Sequence, residues 1–180
     1  MTNFLNTKIL TSIKSVNEIN LVLKKRVDII DFKDPSKGAL GAISIKKISL
    51  FLKHLPSNQL TSATIGDIYD IKTIKKKVFE LSKTKVDFIK IGFFFNLKKI
   101  KSLKSLKDSV KNKKIIAVLF ADNKLDIGAI KEIKKAKFDG ILIDTKNINY
   151  PTSYSKFPRR FYLVISMCKS HFNKIKGKII

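Results

Sequence analysis

Short apolar runs alternate with amphipathic stretches along this chain, and that alternation limits the fold more than any other feature. The runs are Lys8–Ile13, Val27–Phe32, Ser62–Ile65, Phe88–Ile91, Ile115–Phe120 and Gly140–Ile143. They are rich in isoleucine, valine and phenylalanine and nearly continuous in apolar character, as in parallel strands buried on both faces. Between them, 16–25, 44–54, 71–81, 97–110 and 127–137 carry apolar residues three and four apart among lysines, the period of an amphipathic helix. On the second of these the expected apolar set is Ile45, Ile48, Leu50 and Leu52. Ser15 and Glu18 have capping-box spacing before the first helix. The repeat recurs at about 25 residues, giving six βα units and a parallel sheet with right-handed crossovers. The expected class is α/β, either a doubly wound sheet or a (β/α)8 TIM-type barrel. No G-x-G-x-x-G follows the first run, which weakens the dinucleotide-binding sheet.

The six units fall within residues 1–146. Residues 147–180 read as a divergent loop and basic tail, with a candidate seventh strand at Phe161–Met167. An eight-unit barrel needs about 250 residues, and compact ones about 200. At 180 residues the barrel is expected to be incomplete.

Composition narrows the function. The formal charge is +24, which invites a nucleic-acid reading. Yet Arg26, Arg159 and Arg160 are the only arginines among 38 basic residues, and base-edge readout leans on arginine's fork. The lysines are spread over nearly every helix, alongside abundant isoleucine, as biased codon usage would produce. Solvated lysine faces are therefore expected, and no specific nucleic-acid partner. No run reaches the roughly 18 apolar residues of a membrane helix, and the N-terminus lacks signal-peptide grammar, so a cytoplasmic location is expected. Cys168 stands alone, and His54 and His171 read as surface residues, so no disulfide and no metal site are expected. A homo-oligomer is left open.

In parallel α/β folds ligands gather at the carboxyl ends of the strands. There the chain places Asp31, Lys33, Asp67, Lys90, Asp122 and Asp144, with Lys146 just beyond. Strand alternation sends Asp31 and Lys33 to the same face. A lysine buried beside a carboxylate is costly unless paired or functional, and an unprotonated amine there can attack a carbonyl. Lys33–Asp34 reads equally well as an ordinary loop pair, and Lys90 as half of a structural ion pair. Asp67 and Asp122 read as caps of the helices that follow. In the loop Asp34-Pro-Ser-Lys-Gly-Ala-Leu-Gly41, Gly38 and Gly41 allow close backbone approach to a phosphate, or simply a turn.

Five motifs taken together go further. They are Val27-Asp-Ile-Ile-Asp-Phe-Lys-Asp-Pro-Ser-Lys-Gly-Ala-Leu-Gly-Ala42, Thr61-Ser-Ala-Thr-Ile-Gly-Asp67, Val86-Asp-Phe-Ile-Lys-Ile-Gly92, Val118-Leu-Phe-Ala-Asp122 and Phe138-Asp-Gly-Ile-Leu-Ile-Asp-Thr145. In this order they resemble the (5-formylfuran-3-yl)methyl phosphate synthase family, over Lys8 to Thr145. The resemblance implies a (β/α)8 barrel. It also implies condensation of two glyceraldehyde 3-phosphate molecules through a lysine Schiff base, with loss of phosphate and water, for methanofuran-type cofactors. Under it Lys33 is the Schiff-base lysine, Asp31 and Asp144 the acid–base carboxylates and Lys90 the electrostatic partner. Gly38, Gly41 and Lys146 stand on the phosphate side. The partner is a small phosphorylated aldehyde, and no dissociable cofactor is required.

The chain departs from the family pattern after Asp144. The family's second catalytic lysine falls on Ile148, with Lys146 two residues short of it, and the later glycine motifs are not found. Two alternatives follow: an inactive truncated member of the family, or another Schiff-base aldolase-type barrel.

Overall fold

The computed structural model describes residues 8–94, 97–110, 112–120, 127–144 and 163–166. Six parallel strands run in chain order: β1 (Leu10–Ile13), β2 (Ile29–Phe32), β3 (Leu60–Thr64), β4 (Phe88–Gly92), β5 (Lys114–Phe120) and β6 (Gly140–Asp144). Helices fall between them: α1 (Asn17–Lys24), α2 (Ile45–Lys53), α3 (Ile71–Ser82), α4 (Leu106–Ser109) and α5 (Ile127–Lys135). The strands and helices form half of a barrel. A seventh strand, β7 (Leu163–Ser166), pairs antiparallel with β6, Gly140 opposite Ser166. It lies inside the expected 161–167 segment but does not continue the parallel order.

The strands have two apolar faces with separate jobs. Ile30, Phe32, Ala63, Ile89, Ile91, Ala117 and Ile141 face the helices and join Ile19, Ile48, Phe51, Ile74, Val78 and Ile133 in the main core. Burying a side chain such as Ile74, with no exposed surface, is worth about 2–3 kcal/mol. Ile116, Val118, Phe120 and Leu142 form a second, smaller cluster with Leu40, which comes from the loop after β2.

Local signals explain the helix ends. Ser44 caps α2 by accepting the Lys47 N–H, and Asp70 caps α3 by accepting that of Thr73. The capping box at α1 is half made: Glu18 accepts the N–H groups of Lys14 and Ser15, but Val16 occupies the N-cap and no side chain caps there. Arg26 (φ 51°) and Lys137 (φ 61°) turn the chain out of α1 and α5 in left-handed conformations usually filled by glycine.

Two helical readings change. On α2 the buried residues are Ile48 and Phe51, while Ile45 and Leu50 are exposed. At 100° per residue Phe51 lies one turn from Ile48, whereas Leu50 points away. The stretch 97–110 is a 3₁₀ helix (Leu97–Leu103) followed by the short α4. Its buried residues Ile100, Leu103 and Leu106 are spaced by three, which lines them up in a 3₁₀ turn.

The amino ends of the strands are tied by a recurring aspartate. Asp28, Asp87 and Asp139 each immediately precede an even-numbered strand. Each accepts a backbone N–H beside or within the preceding strand: from Ile9 at 2.7 Å, Thr61 at 2.8 Å and Ile115 at 2.8 Å. Asp87 also accepts the Thr61 hydroxyl, and Asp139 an ion pair from Lys107. These carboxylates fix the sheet's register at the end opposite the candidate site.

Candidate active site

The inward face of β2 carries the site. Asp31 is fully buried there, which calls for every oxygen lone pair to find a donor. Ser62 Oγ donates to Oδ1 at 2.6 Å, and Ser12 Oγ to Oδ2 at 2.9 Å. Both serines stand opposite Asp31 in the sheet register, one on each side. Lys90, from β4, reaches over β3 and places Nζ 2.6 Å from Asp31 Oδ2 while only 2% exposed. Buried charges at this depth are tolerated when paired and hydrogen-bonded, and here they are. Beneath them a gap of about 20 Å³, lined in part by Ser62, Phe88, Lys90 and Ile116, has room for roughly one water.

Lys33 follows β2 directly and points the same way as Asp31. Its Nζ lies 3.2 Å from Asp144 Oδ2 at the end of β6, 111 residues away. Both side chains are about one-tenth exposed. The lysine bridges the half-barrel from its second strand to its sixth, at the carboxyl ends. Two lysines and two carboxylates, Asp31, Lys33, Lys90 and Asp144, thus gather on one face. Lys146, Asp122, His171, Cys168 and Ile148 lie outside the described residues.

The glycine loop is closed on itself. Asp34 N donates to Gly41 O at 2.9 Å, and a short 3₁₀ turn (Pro35–Lys37) follows the Asp34 cap. The Ser36 hydroxyl, above all, holds the Asp34 carboxyl below its ordinary range. Gly38 takes φ 116°, a conformation that suits glycine. The next two amides, Ala39 and Leu40, donate to Asp67 at 2.9 and 2.7 Å. Asp67 is therefore no cap of α3; Asp70 has that role, and Asp67 is the anion that the loop holds. A Cβ on Gly41 would collide with the Asp34 carbonyl oxygen, so glycine is required there for loop closure.

Ser12, Ser62, Thr64 and Asp67 are the polar groups that sequence reasoning left without a role in the site. Ser12 and Ser62 had a signal, because both are hydroxyls inside otherwise buried strands. Sliding the strands into parallel register would have set them beside Asp31. Among the described residues no cluster of three or more His, Cys, Asp or Glu gathers to hold a metal ion. Nor is any helix among them long and apolar enough to cross a membrane.

Parallel βα order, with charged side chains at the carboxyl ends on the inward face, defines a TIM-barrel-type α/β protein. Solved structures agree on the fold. A 3-hexulose-6-phosphate synthase superposes with a TM-score of 0.58 at 14% identity, covering 81% of this chain and 70% of its own. A 3-dehydroquinate dehydratase from Geobacillus kaustophilus HTA426 gives 0.56 at 9%, covering 78% and 63%. A family model described as "4-HFC-P synthase" matches residues 9–158, and the chain belongs to that family. The (5-formylfuran-3-yl)methyl phosphate synthase of Methanococcus maripaludis strain C7 is 32% identical over 122 residues, covering 63% of this chain and 52% of that protein. A putative (5-formylfuran-3-yl)methyl phosphate synthase of Methylorubrum extorquens is 27% identical over 167 residues, covering 91% and 68%. The chain thus spans about half to two-thirds of the length of these relatives.

Proposed function

We propose that this chain is a cytoplasmic lyase that joins two glyceraldehyde 3-phosphate molecules into (5-formylfuran-3-yl)methyl phosphate, with Lys33 as nucleophile, for a methanofuran-type cofactor. The observation that carries the reading is the Lys33–Asp144 pair, 3.2 Å apart across the mouth and nearly buried. Lys33 is the amine that can meet a carbonyl, and Asp144 is the base close enough to take its proton. The neutral nitrogen adds to the aldehyde carbon, forming the C–N bond. The carbonyl oxygen, protonated twice, leaves as water and an imine remains. The imine acidifies the neighbouring C–H, and loss of that proton gives the carbon nucleophile for the second aldehyde. Phosphate and further water leave as the ring forms, and one water then hydrolyses the remaining C–N link, releasing the product and the Lys33 amine.

Asp31 is the second acid–base group in this reading, and Lys90 keeps its negative charge compensated. Gly38 and Gly41 shape the loop beside which the substrate phosphate is placed, with Lys146 as a further cation.

Borohydride trapping with glyceraldehyde 3-phosphate, followed by peptide mass mapping, tests the proposal. An adduct on Lys33 that disappears in Lys33→Ala is expected. Full synthase activity in Lys33→Ala would sink the assignment. A second reading, a family member without activity, draws on Ile148, which stands where the family resemblance places a lysine. A folded protein that traps no aldehyde at Lys33 would favour it.

A further inference from the structure

The loop that leaves Lys33 is anchored at three points, all reaching it from β3 and the segment just after. Asp67 accepts the N–H groups of Ala39 and Leu40, one on each carboxylate oxygen. Thr64 Oγ1 donates to the Leu40 carbonyl at 2.5 Å. A Cβ on Gly38 would strike the Asp67 carboxylate, so this glycine also permits the close approach. The result is an unusual placement for a loop residue. Leu40 has no exposed surface and packs on Ile116, Val118, Phe120 and Leu142 of β5 and β6, far across the half-barrel. Its Cδ1 occupies the space beside Gly92 that a Cβ there would need.

This apolar cluster is separate from the core between strands and helices. The Asp67 anchor therefore governs the inner face without holding the sheet to its helices. Asp34, the first residue of the loop, is bonded directly to Lys33, and the loop closes through Asp34 N and Gly41 O. The Lys33 N–H is held by the Ile13 carbonyl of β1 at 3.2 Å, and the loop closure at Asp34 fixes the chain on its other side, so sheet and loop together set where the Lys33 side chain begins.

We propose that Asp67 is a positioning residue for Lys33: bound by the Ala39 and Leu40 amides, it seats Leu40 on the inner face and so fixes the direction in which Lys33 Nζ runs toward Asp144. The importance of that direction for catalysis rests on the imine reading above; the positioning does not.

The test therefore reads Lys33 without using the reaction. Full-length protein is pulsed with acetic anhydride, and acetylation is mapped at every lysine. Hydrogen exchange is followed in peptides covering 34–43. In Asp67→Ala, which removes both charge-assisted hydrogen bonds to the loop amides, exchange in that segment and acetylation of Lys33 should each rise by about tenfold or more. Lys90 and the peptides of α1 and α5, which lie outside the Leu40 cluster, should not change, which separates loss of aim from general loosening. Asp67→Asn, which keeps an accepting oxygen, should lie between. Should Asp67→Ala fail to fold, Asp67→Asn and Thr64→Val carry the same measurement. A folded variant whose loop exchanges faster while Lys33 acetylation stays within about twofold of wild type would overturn the proposal. So would unchanged exchange in the loop. Absence of borohydride trapping at wild-type Lys33 counts against the imine reading alone, and the acetylation result still decides the role of Asp67.

Discussion

Lys90 Nζ and Asp31 Oδ2 sit 2.6 Å apart on strands that are not neighbours, with β3 passing between them and lending its Ser62 hydroxyl to the same carboxylate. The pair links β2 to β4 through side chains, in the part of the half-barrel where the chemistry is proposed. Removing one partner should leave the other charge buried alone. Asp31→Ala is expected to cost about 3–5 kcal/mol in urea unfolding. The double change Asp31→Leu with Lys90→Met should recover most of that stability and none of the synthase activity. A double variant as unstable as Asp31→Ala would show that packing, not unpaired charge, sets the cost.

Ser62→Ala removes a 2.6 Å hydrogen bond to a buried carboxylate. A loss of about 1–3 kcal/mol is expected from a donor of that kind, larger than for an exposed serine. Equilibrium unfolding of Ser62→Ala beside Ser57→Ala, an exposed loop control, makes the comparison.

Asp87 anchors Thr61 through both its amide and its hydroxyl at the amino end of the sheet. Asp87→Ala should lower stability by about 1–3 kcal/mol. Borohydride trapping per folded molecule at Lys33 should be unchanged, because the opposite end of the strands is altered. A selective loss of trapping in a folded Asp87→Ala protein would contradict this division.

Arg26 holds a positive φ at the end of α1. Arg26→Gly should raise stability by up to about 1 kcal/mol by relieving a left-handed conformation, even after the entropy lost by adding a glycine. Thermal unfolding of the single variant is sufficient, and a lower Tm would count against it.

The Asp70 cap predicts a pH dependence. The Thr73 backbone N–H, foremost, holds its carboxyl below the ordinary value of 3.8. A carboxyl depressed on folding stabilises the protein above its unfolded pKa, and that contribution fades as pH falls through the lower folded value. Asp70→Asn retains a capping oxygen but cannot titrate. The stability difference between wild type and Asp70→Asn should therefore be constant at neutral pH and shrink below about pH 3.8.

The alternation of apolar runs and amphipathic stretches made the parallel sheet legible, because strands buried on both faces leave an unmistakable composition. Phe88-Ile-Lys-Ile marked Lys90 as a charge inside an apolar strand, and two-residue alternation put Asp31 and Lys33 together. The partners across the sheet were less legible. Ser12 lies 19 residues from Asp31 in sequence and Ser62 lies 31, and only register brings them close. An aspartate just ahead of a helix has two uses, and at Asp67 local sequence does not tell a cap from a partner for a distant loop. Ile45 and Leu50 misled because apolar residues also occur on exposed helix faces, where only the neighbouring strand decides which stripe is covered. The direction of β7 had no local signal either, since a short apolar run such as Leu163-Val-Ile says nothing about strand direction.

The aspartates that precede β2, β4 and β6 give this fold a division of labour. Each grips the start of the neighbouring strand, so the sheet is pinned where no substrate is proposed to bind. The opposite rim is thereby spared much of the work of holding the strands in line. Loops there can be lengthened, shortened or exchanged while the strands keep their alignment, which is the latitude a scaffold needs if related chains are to acquire different chemistry at the same six strand ends.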